Sequence, residues 1–238
     1  MTGESQGQFQ GFSRKTFAFL RDLGRNNDRA WFEAHRGVYE EHVLQPLRDL
    51  VSDLADPMLG IDLSFEVEPA VSKTISRIYR DTRFSRDKSP FRNCMWLTFK
   101  RSGKDWSRYI PGYFLEINPT WYRYGLGFYD AAPELMAGFR RRIDDDPRSF
   151  LKVVAWFDKQ DVFTLEGEPY KRPIAQDKPE PIRTWYQYKS FYLSRNCHID
   201  DAILSPKFAD QLAEHFALAA PLYHYIRRIA SQVLDAHR

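Results

Sequence analysis

Between Arg77 and Arg92 the chain reads R-I-Y-R-D-T-R-F-S-R-D-K-S-P-F-R. Six cations (Arg77, Arg80, Arg83, Arg86, Lys88, Arg92) stand there against two acids, Asp81 and Asp87, so the stretch carries +4. The whole chain is +3, which leaves everything else at −1. Guanidinium groups at this density repel one another unless acids or a bound anion sit among them, and each charge-assisted hydrogen bond contributes about 1.5–3 kcal/mol. The residue types therefore point to an anion site for phosphate, carboxylate or a nucleotide backbone. Arg77, Arg80, Arg83 and Lys88 would be its donors, and Asp81 and Asp87 would orient them, or one could serve as a general base if desolvated. The alternative is a structural latch. In it Asp81 and Asp87 lock two arginines, acids from other elements supply the rest, and surplus charge stays solvated.

Other chemistries have thinner support. Ser85-x-x-Lys88 has the spacing of a serine–lysine nucleophile, but Ser149-x-x-Lys152 has it equally and no Lys-Thr-Gly partner follows. The six histidines (35, 42, 198, 215, 224, 237) form neither H-x-x-x-H nor H-E-x-x-H, and Cys197-His198 has no cysteine nearby, so no metal is expected. Asp144-Asp145-Asp146 ahead of Pro147 does the plainer work of charging a helix N-terminus. Gly125-Leu126-Gly127 is too short for a dinucleotide fingerprint and there is no phosphate-loop motif, so no cofactor is expected. The rings from Trp106 to Tyr129 (Tyr109, Tyr113, Phe114, Trp121, Tyr122, Tyr124 and Phe128 between them) could stack bases beside the basic segment. Single-stranded nucleic acid is thus the second candidate partner, against the reading that these rings fill a core.

A length of 238 residues, 43% hydrophobic and 28% charged, is ordinary for a globular chain and long enough for a core without staples. Two cysteines make no disulfide framework and indicate a reducing compartment. With a polar start and no run of about 18 apolar residues, the chain is expected to be cytoplasmic, with no membrane association. A pI of about 8.8 permits phosphate or nucleic-acid partners without demanding them.

Those side chains need a frame. Residues 1–10 read as a disordered tail, and 11–238 as a single α+β domain. Ser13 caps a helix that Phe12 staples onto Phe17, and Gly24 stops it. Asn26 or Asn27 opens a long helix that Pro46 kinks or splits near Gln45 and Asp56-Pro57 closes. Ile61–Val67 alternates as a half-buried strand does. The motif follows as strand or irregular loop, since arginines at spacing three (77, 80, 83, 86) align only on a 3₁₀ or polyproline-type backbone. Asn93–Lys100, Tyr109–Asn118 and Trp121–Tyr129 form an antiparallel meander with turns at Ser102-Gly103-Lys104 and Asn118-Pro119-Thr120. Helices start at Asp130 and at Asp146-Pro147, and a strand covers Val162–Glu168. A proline-rich loop spans 169–183, a short strand Phe191–Leu193, and two last helices open at Ser205-Pro206 and break at Pro221. The fold class is α+β, a mostly antiparallel sheet packed with N- and C-terminal helices.

Arg77, Arg80, Asp81, Arg83, Phe84, Asp87 and Lys88 follow the pattern R-x-x-R-D-x-R-F-x-x-D-K-x-x-Y, with Phe91 where the pattern often has tyrosine. The chain thereby resembles a mainly bacterial family, also found in longer fungal proteins, catalogued as domain of unknown function 2461. The resemblance extends to Asn26, Asn27, Trp31 and Phe32 and to the K-S-F-Y-L-S-R stretch at Lys189. It implies a fold shared over nearly the whole chain and carries no activity with it.

Overall fold

The computed structural model describes residues 8–103, 106–128 and 130–236, without the side chains of Trp106 and Ser107. The expected tail at 1–7, the turn residue Lys104 and the rings of Trp106 and Tyr129 lie outside the described set. Within the expected tail, Gln8 and Phe9 are held: their backbone N–H groups both donate to the Asp53 carboxylate (2.8 and 2.9 Å), and Phe9 is buried.

Five strands form one antiparallel sheet: β1 (Met95–Phe99), β2 (Gly112–Ile117), β3 (Trp121–Gly127), β4 (Thr164–Pro169) and β5 (Tyr188–His198). Their order is β1-β2-β3-β5-β4. The expected meander is the first three, closed between β2 and β3 by Asn118 N–H donating to the Trp121 carbonyl (2.9 Å). The helices are α1 (Arg14–Arg25), α2 (Arg29–Ala34), α3 (Arg36–Tyr39), α4 (Gln45–Ile61), α5 (Trp106–Tyr109), α6 (Pro133–Asp145), α7 (Pro147–Val154), α8 (Ile182–Tyr186) and α9 (Phe208–Asp235). The fold class is α+β.

The chain divides into two compact units. The first comprises residues up to Phe99 with Phe114–Tyr124 and Asn196–Glu214. Ser13 caps α1 with a reciprocal box to Thr16, and the Phe12 ring sits 6.4 Å from Phe17, as the staple requires. The long second helix does break, but at His35 (φ −114°, ψ 12°) and not at Pro46: the backbone stays right-handed helical through Tyr39, Leu44 and Gln45, and a π-helical segment (Glu40–Leu44) joins α3 to α4 just ahead of the proline. The cap of α2 is Asp28, not Asn26 or Asn27. Two further expectations are corrected. Pro57 does not close α4, which runs on to Ile61 because Leu54 and Met58 on either side are fully buried. The alternation of Ile61–Val67 makes no strand: Leu63 is 86% exposed, and the Asp62 carboxylate accepts the Ser64 N–H (2.9 Å) in a turn.

The second unit comprises Lys100–Tyr113, Gly125–Arg195 and the chain from His215. Asp146 caps α7 by accepting the Ser149 N–H (3.0 Å), the start expected at Asp146-Pro147. Its core is a cluster of rings: Phe139 against Phe150 and Phe191, and Trp185 against Phe191, all with centroids 5.5 Å apart. Tyr113 joins Phe216 and Tyr223 at 5.1 and 5.8 Å. The strand expected at Phe191–Leu193 is the eleven-residue β5, paired antiparallel with β4 from Thr164↔Ser194 to Pro169↔Tyr188. Pro221 does not break the last helix. It lies inside the 28-residue α9, where buried Phe216, Leu222, Tyr223, Ile226 and Ile229 outweigh one lost backbone bond.

Candidate functional site

The arginine-rich stretch lies within the first unit and folds as a hairpin. Arg92 N–H donates to the Ile78 carbonyl and Arg80 N–H to the Pro90 carbonyl (2.8 Å each), with Tyr79 opposite Phe91. Pro90 fits because the pairing uses only its carbonyl. Ile78 and Phe91 point into the core, and Phe91 stacks on Phe32 of α2 at 4.3 Å and 20°. Asn27, in the turn between α1 and α2, treats Phe91 as a strand neighbour would. Its amide N–H donates to the Phe91 carbonyl and its amide oxygen accepts the Phe91 N–H, both at 3.0 Å.

The loop between the arms turns on its two aspartates. Asp81 Oδ1 accepts the Arg83 N–H (3.2 Å) and Asp87 Oδ1 accepts the Ser89 N–H (2.9 Å), the side-chain-to-backbone bonds of two Asx turns. Each also takes a guanidinium. Arg83 straddles Asp81 (Nε to Oδ1 3.0 Å, Nη2 to Oδ2 2.7 Å), and Arg80 Nη1 donates to Asp87 Oδ2 and to the Ser89 hydroxyl (2.7 Å). Both carboxyls are held down to about 2, Asp81 chiefly by Arg83 and Asp87 chiefly by the Ser89 N–H and hydroxyl with Arg80.

The remaining cations have no such partner. Arg77 Nε donates to the Ser72 hydroxyl (2.7 Å), Lys88 Nζ to the Thr82 carbonyl (2.8 Å), and the Arg92 guanidinium lies 4.5 Å above the Trp96 ring. Ser72, the acceptor for Arg77, holds a left-handed backbone (φ 74°), uncommon for a serine. Among the described residues no carboxylate lies within 4.0 Å of Arg77, Arg86, Lys88 or Arg92. Among the described residues, then, no acid from elsewhere pairs with these four cations.

The four arginines at spacing three do not converge on one cavity: of them only Arg80 lines the concavity beside the hairpin. One concavity of about 560 Å³ opens beside the hairpin, lined by Arg80, Asp87 and Ser89 with Arg92, Asn93 and Cys94, and by Gly24 and Asn27 from the α1 side. Of the expected site residues, Arg80 and Asp87 reach it, while Arg77, Asp81, Arg83 and Lys88 do not line it. Arg92 and Asn93 are the donors that sequence reasoning left out. Arg92 was counted in the charge excess, and its position opposite Ile78 is what carries it to the pocket. Asn93 lies beside Gly24, where an added Cβ would come within 3.2 Å of its amide nitrogen.

Burial pushes the Cys94 thiol up, Glu116 adds to this, and Arg92, Arg123 and Arg80 oppose it, so the pocket does not favour a thiolate. Lys88 is turned to a backbone carbonyl, away from the role of a base for Ser85. Tyr113, Tyr122, Tyr124 and Phe128 are buried in packing, as a core requires, and present no stacking face. The ring that does stand out is Phe84, 95% exposed, with the Arg83 guanidinium 5.8 Å from its centroid.

A family model described as "Conserved hypothetical protein (DUF2461)" matches residues 15–225. No curated protein matches the chain.

Proposed function

We propose, for a chain that belongs to the DUF2461 family of conserved hypothetical proteins, that the pocket at Arg80 and Arg92 binds an anionic small molecule bearing a phosphate or carboxylate. The observation that carries this reading is an imbalance within the cavity wall. Two guanidinium groups and the Asn93 amide face it with one carboxylate, Asp87, and that carboxylate answers Arg80 alone. Arg92 is pre-positioned on Trp96 by cation–π packing, so little side-chain freedom remains to be lost when an anion arrives. The open mouth keeps water near, which places each contact toward the lower end of about 1.5–3 kcal/mol.

The test is a thermal-shift series with inorganic phosphate, phosphate monoesters and carboxylates at low salt. A ligand at ten times its Kd stabilises by about 1.4 kcal/mol, roughly 3–6 °C for a chain of this size. Arg92→Gln should abolish the shift while leaving the unliganded Tm within about 2 °C, because a half-exposed guanidinium with no carboxylate partner contributes little to folding. No stabilisation of the wild type by any of these anions would end the reading.

Phe84 favours a second reading, single-stranded nucleic acid held by the loop, since an exposed ring flanked by Arg83, Arg86 and Lys88 can stack a base between phosphate contacts. That reading expects affinity for oligonucleotides to fall by a slope of about 0.7 in log K per log salt for each phosphate contacted. It also expects Phe84→Ala to weaken binding where Arg92→Gln does not.

A further inference from the structure

Resting on the anion-pocket reading, we infer that the Asp87 carboxylate occupies the ligand's own seat, and that the ligand able to displace it is a dianion such as a phosphate monoester. Asp87 is the side chain of an exposed loop, yet it meets what a bound anion would want: the half-buried Arg80 guanidinium and the Ser89 N–H, beside the Ser89 hydroxyl. That set of donors forms part of the wall of the 560 Å³ concavity, and Arg92 and Asn93 complete the wall with no carboxylate of their own. The fold has built an anion seat and filled it from within.

This arrangement selects by charge. A resident carboxylate tethered two residues from Ser89 competes at an effective concentration of millimolar order or above. An incoming monocarboxylate replaces Asp87 like for like and must also give up its translational freedom, so it gains little. A phosphate monoester carries a second charge above its pKa of about 6 and a third oxygen, and these can engage Arg92 while the first displaces Asp87. Asp87 then swings out on a loop whose other anchor, Asp81 on Arg83, does not line the pocket.

The experiment compares phenyl phosphate with benzoate, at pH 7.5 and low salt, by calorimetry on wild type, Asp87→Asn and Asp81→Asn. Asparagine at 87 keeps the oxygen that accepts the Ser89 N–H, so the turn survives, and Asp81→Asn makes the same charge change outside the pocket. If Asp87 fills the seat about nine-tenths of the time, its removal tightens either ligand about tenfold, because apparent affinity scales with the competent fraction. Asp81→Asn should shift affinity by less than about twofold, the long-range charge effect alone. Phenyl phosphate should bind the wild type tighter than benzoate, Asp87→Asn should tighten both and leave their ratio in place, and the Ser89 amide resonance should move on ligand addition. Equal effects of the two asparagine variants, or binding that leaves the Ser89 amide in place, would overturn seat exchange with the pocket itself intact. Benzoate binding the wild type as tightly as phenyl phosphate would overturn the dianion selection. Binding of neither ligand to wild type or Asp87→Asn would overturn the pocket and the exchange together.

Discussion

Asp81 and Asp87 each serve two masters, a backbone N–H two residues on and a guanidinium, and both partners prefer the ionised carboxylate. Their carboxyls are held at about 2, below the ordinary 3.8, so the folded chain binds fewer protons here than the unfolded one. The stabilisation is therefore complete above pH 4 and is lost as pH falls through about 2. Urea denaturation across that window should show the wild type losing stability relative to the Asp81→Asn, Asp87→Asn double variant. Carboxyl titrations by NMR with both midpoints near 3.8 would contradict the geometry described for the loop. Neither aspartate announces this in sequence. An acid two residues ahead of an arginine or a serine is compatible with a turn, a pair, or both, and only the loop's closure makes it both.

At the scale of elements, the hairpin is held to the helices less by its charges than by Asn27 and the Phe32–Phe91 stack. Asn27 makes an amide clasp on one residue's backbone, 64 positions away in the chain. Asn27→Ala leaves the N–H and carbonyl of Phe91 without these partners, and an unmet pair of this kind costs about 1–3 kcal/mol. The urea midpoint should fall accordingly, and anion affinity should fall with it because Arg92 is the next residue. A midpoint unchanged from wild type would show that water replaces the clasp. On β3 the glycines once weighed as a phosphate cradle have another purpose. A Cβ on Gly125 would lie 1.8 Å from the Leu193 carbonyl oxygen, and one on Gly127 2.1 Å from the Tyr192 Cβ, so β5 closes on β3 only because both lack side chains. Gly125→Ala should cost about 1–3 kcal/mol or more. Gly60→Ala in α4, where a Cβ meets nothing within 4 Å, should be neutral or stabilising in the same melt.

Over the whole molecule, charge is placed rather than spread. Several acids elsewhere have their own cations, Glu66 with Lys73, Glu116 with Arg123, Asp144 with Lys178, and among the described residues none pairs with Arg77, Arg86, Lys88 or Arg92. Among the described residues no helix is long and apolar enough to cross a membrane, and no cluster of three or more histidines, cysteines or acids could hold a metal. What the sequence by itself determined was local. The caps at Ser13 and Asp146, the π-helical irregularity before Pro46, the β1–β3 meander and the charge excess between Arg77 and Arg92 all depend on neighbours within a few residues, where side-chain type and spacing act directly. Where local rules pointed wrongly, at Ile61–Val67, at Pro57 and at Pro221, burial decided against them, and burial depends on residues far off in the chain. The site divides the same way. Sequence marked the segment, but only tertiary structure brings Arg80 and Arg92, of its six cations, to a cavity wall. Which guanidinium faces a cavity and which faces solvent follows from the hairpin's pairing and from Asn27 reaching across to fix it.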